Sequence, residues 1–83
     1  MAEWRWECIT DDLLDVLPSG ALETVEQLGK ELAVRESMVF LDGPAFTGDP
    51  PELRTIQRGP LMLVYLTDAR GERVVLIQVN WIG

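Results

Sequence analysis

Between Leu53 and Trp81 the chain is dominated by apolar, β-branched and aromatic residues, interrupted at Arg58-Gly59-Pro60 and again at Asp68-Ala69-Arg70-Gly71. Runs of that kind separated by turn residues predict three consecutive antiparallel strands, a β-meander. The middle run, Leu61 to Thr67, and the last, Val74 to Val79, are apolar at nearly every position. A strand with one solvated face alternates polar with apolar, so both faces of these two should need cover. Helices encoded earlier in the chain are expected on one face. The other is left for a groove, a dimer partner or a bound peptide.

The first half reads differently. Trp4, Trp6 and Cys8 alternate with Arg5, Glu7 and Ile9, the period-2 pattern of a strand with one buried face. The two indoles then read as core anchors and not as a platform for bases, and Cys8 as a small buried hydrophobe. Thr10, Asp11 and Asp12 open a short helix carrying Leu13, Leu14 and Leu17, which Pro18-Ser19-Gly20 ends. Ser19 can cap a second helix, in which Leu22, Val25, Leu28 and Leu32 recur at helical spacing. Glu23, Glu26 and Glu31 lie mainly off that stripe and read as a solvated face. Gly29 inside it costs about 1 kcal/mol relative to Ala, which points to close packing or to a local weakness. Met38 to Leu41 is read as extending the helix. Residues 43–51, with three prolines and two glycines, form a connector that could act as a lid, and lack the ending of a phosphate-cradling loop. The expected fold is one α+β domain spanning residues 1–83, with two N-terminal helices on one face of a small antiparallel sheet in the order β-α-α-β-β-β.

Charge narrows the chemistry. The net charge is −7, whereas nucleic-acid binders neutralise phosphates with an excess of Lys and Arg. Residues 1–42 carry all of that excess, and residues 43–83 are neutral, with Arg54, Arg58, Arg70 and Arg73 as their cations. With one Cys and no His, neither a disulfide within the chain nor a His/Cys metal site is expected, and no cofactor is implied. No apolar run approaches the roughly 20 residues of a membrane span, and the opening residues lack a secretory pattern, so a cytoplasmic protein is expected.

The element order and local wording resemble the RelE/ParE superfamily of bacterial toxins. Trp4 to Pro18, WRWECITDDLLDVLP, looks like that family's opening strand and short first helix, and Ala21 to Leu32 resembles its second helix. Leu53 to Asp68, LRTIQRGPLMLVYLTD, is similar to its sheet segment, in which a Leu-Arg-rich strand leads through Gly into a strand ending in Val-Tyr and an acidic turn. Gly71 to Trp81 looks like the last strand. The resemblance implies the toxin component of a type II toxin-antitoxin system, held by an antitoxin protein. Its target would be the ribosome with its messenger RNA or, as in the ParE branch, a protein such as gyrase.

Ribosome-dependent members cleave messenger RNA with basic residues on the exposed sheet face, including an Arg in the strand after the Gly. Here that position is Met62, and the C-terminus reads Val79-Asn80-Trp81 where many members carry Gly-His-Arg and then Tyr. Losing one electrostatic donor to a developing phosphorane charge typically costs about 100- to 1,000-fold in rate. The remaining candidates for an endonuclease are Arg54 and Arg58, which share a face if their strand is regular, and Tyr65, which matches the Val-Tyr element. The other reading, from a different class, is a non-catalytic interaction or dimerisation module on the same fold, with Met62, Leu66, Ile77 and Trp81 supplying an apolar partner-binding patch. A small-molecule enzyme using Asp or Glu has no constellation behind it.

Overall fold

In the computed structural model, which describes residues 4–15, 17–40 and 52–82, the elements run β1 (Arg5–Cys8), α1 (Ser19–Val39), β2 (Arg54–Arg58), β3 (Leu61–Asp68) and β4 (Arg73–Trp81). The strands form one sheet in the order β1-β4-β3-β2, antiparallel except that β1 runs parallel to β4.

Two expectations are corrected. There is one helix, not two, and the sheet is mixed, not antiparallel, so the order is β-α-β-β-β. Residues 10–15 and Leu17 make only tight turns, in which Leu13, Asp15 and Leu17 donate to the carbonyls three residues back. Asp11, Asp12 and Asp15 explain why no α-helix forms there. Asp is a poor helix former, the pairs at i,i+3 and i,i+4 repel, and the stretch before Pro18 is too short to repay nucleation. Leu13, Leu14 and Leu17 still pack against the core, as half-buried side chains.

The second correction follows from the first. Each helix or strand that spans the domain reverses the chain, so two helices between β1 and β2 would leave β4 antiparallel to β1. A single helix shifts the parity and makes them parallel.

The long helix forms where the periodicity is strongest. Its buried positions are Ala21, Val25, Leu28, Gly29, Leu32, Ala33 and Glu36, a stripe at three- and four-residue spacing. Pro18 occupies the N-cap position with no side-chain cap, its carbonyl accepting from the Ala21 amide at 2.9 Å, so Ser19 begins the helix and does not cap it. Met38 and Val39 extend the helix as expected, and Phe40 closes it by donating its amide to the Glu36 carbonyl. The connector expected at residues 43–51 lies outside the described residues.

In β3, residues alternate between buried and half-buried. Leu61, Leu63, Tyr65 and Thr67 turn towards α1, and with Val74, Leu76 and Val79 of β4 and Val25, Leu28 and Leu32 of α1 they make the core. Trp4, Trp6 and Cys8 pack against its rim, and Trp4 stacks on Phe40 with ring centroids 6.3 Å apart. The hairpin between β2 and β3 turns on two residues, with Gly59 at φ +58°, a conformation open to Gly at the first central position. A bulge in the β3–β4 pairing leaves Ile77 as an extra residue between Leu76 and Gln78.

Candidate functional site

Register places the three candidate RNA contacts. Arg54 lies opposite Tyr65, Ile56 opposite Leu63 and Arg58 opposite Leu61. Directly opposed residues share a face, so Arg54 and Arg58 lie together, as their spacing implied, on the α1 side of β2. Four residues of strand separate their Cα atoms by roughly 13 Å, and each is otherwise placed. Arg58 forms an ion pair with Glu31 of α1. Arg54 is exposed at the other end of the strand. Tyr65 is a core residue, 2% exposed, and its hydroxyl accepts a hydrogen bond from Arg35 Nη2 at 2.8 Å. These side chains do not converge on one phosphate.

Around Tyr65 the structure assembles a group that the sequence reading missed. The Arg35 guanidinium lies between the Tyr65 hydroxyl and the Glu36 carboxylate, 3.4 Å from the latter. The Glu36 side chain is 2% exposed and that of Arg35 is 53% exposed, so a buried carboxylate is met by a half-solvated cation. The signal was present, since Glu36 falls four residues after Leu32 and continues the buried stripe of the helix.

The four residues expected to form an apolar patch are divided between the faces. Met62 and Leu66 lie with Val64 on the face away from α1, half-buried among their neighbours in the sheet. Trp81 is opposite Leu61 and packs against the core on the α1 side. Ile77 is the bulge residue. Met62, Val64, Leu66 and Val75 therefore make an apolar strip along the face away from α1, the first three half-buried and Val75 buried. Thr55 and Gln57 border it on β2, and Asn80 and Gln78 lie opposite Met62 and Val64 on β4.

At the far end of that face Arg73 forms ion pairs with Glu7 of β1 and Asp68 of β3, and the Gly71 amide donates to Asp68 Oδ1 at 3.1 Å. Partial burial pushes the Asp68 carboxyl upward. The hydrogen bonds from Arg73 and the Gly71 amide, with the charges of Arg73 and Arg5, outweigh it, and the pKa falls below the ordinary Asp value. The stabilisation from a depressed pKa is complete above the unfolded value and is lost as pH falls through the folded one. Asp68→Asn is expected to cost about 1 kcal/mol at pH 7, in line with a partly exposed charged pair. Below about pH 4 its melting temperature should fall less steeply than that of the unmodified chain. Thermal melts from pH 2 to pH 7 check this, and identical slopes for the two chains would contradict it.

Cys8 is unsuited to nucleophilic work, because burial and the charges of Asp11 and Glu7 push its thiol pKa up. Among the described residues no group of three His, Cys, Asp or Glu side chains could hold a metal ion, and no helix is long and apolar enough to cross a membrane. No protein-family model matches the chain, and no curated protein or solved structure matches it.

Proposed function

We propose that the chain is the toxin-type member of a two-component toxin-antitoxin pair, and that it acts by binding a protein and not by cutting RNA. The observation that carries the binding half of this reading is the sheet face away from α1, on which no other described element packs. The RelE/ParE pattern sets its cleavage cations on such a face. Here Met62 stands among Val64, Leu66 and Val75, an apolar surface suited to excluding water from an interface. At the far end of this face Arg73 is already tied to Glu7 and Asp68, and Arg5 lies beside it. Tyr65 is buried on the opposite side. The toxin half is supported by the resemblance of Ala21 to Leu32 and of Leu53 to Trp81, while Trp4 to Pro18 keeps the family's opening strand and lacks its first helix.

The test is induced expression in growing bacteria, with and without the product of the adjacent gene. Growth should arrest, co-expression should relieve the arrest, and messenger RNA mapped by primer extension should stay intact. Unimpaired growth would remove the toxin reading, and cleaved messages would restore the nuclease. A second reading, self-association as a non-catalytic module, is favoured by the same apolar strip. Its mark is a homodimer by light scattering that persists on dilution and ignores the neighbouring gene product.

A further inference from the structure

β2 closes the sheet on the side away from β1, pairing with β3 along one edge. Among the described residues its other edge has no strand partner. Four of its five residues are exposed and Ile56 is half-buried. α1 packs on β1, β4 and β3, and β2 is tied to it by the Arg58–Glu31 pair. An open edge is a template for another strand, which proteins commonly guard with charge. The guard here has one sign, since Arg-Thr-Ile-Gln-Arg holds two cations and no acid in a chain of net charge −7.

The cations are symmetric about Ile56, and that symmetry selects the partner. If two copies paired antiparallel through all five residues of β2, Arg54 of each would face Arg58 of the other, and like charges directly opposed are destabilising. An acidic strand in the same register would meet Arg54 at one end and share Arg58 with Glu31 at the other. Beside this edge the helix offers apolar surface. Val34 and Met38, 56% and 69% exposed, line an open groove of about 440 Å³ with Lys30, Glu31 and Arg35. Glu31 reaches Arg58, and Arg35 reaches the hydroxyl of Tyr65, which lies opposite Arg54. The groove therefore runs along the flank of α1 that is turned towards β2.

We propose that this edge docks an extended acidic segment of a partner protein, added to the sheet as a fifth strand. Main-chain hydrogen bonds hold the segment, and alternate side chains set its specificity. Acids at positions i and i+4 meet Arg54 and Arg58, and an apolar residue at i+2 lies over Ile56 towards Val34 and Met38. The inference rests on the binding reading above for what the partner is for. Its test reads docking alone, so it fails or succeeds independently of the growth assay.

The probe is the peptide acetyl-Ser-Glu-Thr-Val-Thr-Glu-Ser-amide, titrated to about 1 mM, the weak end of the affinity scale, into the full ¹⁵N-labelled chain. Amide shifts should change in β2 and on the Val34–Met38 flank. Arg54→Glu with Arg58→Glu should weaken binding at least tenfold, and a peptide with Lys in place of both Glu should bind that double variant and not the original chain. Arg54→Glu alone, which leaves the Glu31 pair intact, serves if the double variant does not fold. Unchanged amides at about 1 mM, shifts centred on Met62, Val64 and Leu66, or affinity indifferent to charge reversal would each overturn the proposal.

Discussion

Gly29→Val is expected to lower the folding free energy of this chain by about 3 kcal/mol, a large fraction of the stability of a small domain. Gly29 is buried in the middle of α1 against the indole of Trp6, and a Cβ built there would lie 2.6 Å from Trp6 Cδ2 and 2.8 Å from Cγ. Those atoms are the root of the ring. They lie close to the backbone of β1 and can move much less than the tip of a flexible side chain. The helix would have to lift from the sheet, and over-packing of that kind costs about 1–3 kcal/mol for small additions and more for a branched one. Gly29→Ala makes the argument sharper. Helix propensity alone favours Ala by about 1 kcal/mol, so a net loss of stability in Ala isolates the contact with Trp6. A chain of this length buries only roughly 60% of its unfolded surface and has little reserve. Urea denaturation should rank Gly above Ala above Val, and a more stable Ala variant would show that the indole yields.

The second large effect is expected at Arg35. Arg35→Ala removes the donor to the Tyr65 hydroxyl and leaves the Glu36 carboxylate, 2% exposed, without its cation. Breaking a fully buried pair from one side costs about 3–5 kcal/mol. Arg35 is half in water, so about 2 kcal/mol is the better expectation. The stranded charge, and not the lost contact, should account for most of it. Glu36→Met in the Arg35→Ala background should therefore recover stability, since an apolar residue of similar size tolerates that site better than an unpaired carboxylate. Tyr65→Phe should cost only about 1 kcal/mol. Equal losses in Arg35→Ala with and without Glu36→Met would place the cost elsewhere.

The strands were legible because turn chemistry marks their ends. Gly59-Pro60 and the 69–72 turn bound β3 closely, and the alternation of Trp4, Trp6 and Cys8 located β1. The main helix was legible from its apolar spacing. The short first helix was misread because three leucines at helical spacing occur in a segment whose aspartates and proline forbid an α-helix. That single misreading reversed the direction of β1 relative to β4. At the candidate site, spacing correctly put Arg54 and Arg58 on one face. It could not show which face α1 covers, because β3 and β4 are apolar on both. The separation of Trp81 from Met62 and Leu66, and the coupling of Arg35 to Tyr65 across 30 residues, depend on register, which no local pattern encodes.

The parallel pairing of β1 with β4 also sets a timetable for synthesis. Arg5 is partnered by Arg73, Trp6 by Val74 and Cys8 by Leu76, so β1 meets its sheet neighbour only once β4 has been made. At translation rates of about 5–20 residues per second, β1 leads β4 by several seconds or more. Until β4 is made, Trp4 and Trp6 lack the strand that joins β1 to the sheet, and the apolar stripe of α1 can close only on the β2–β3 hairpin. β2, β3 and β4 need only their own hairpins to pair. β1 and its two indoles are thus made well before the strand that holds them in the sheet.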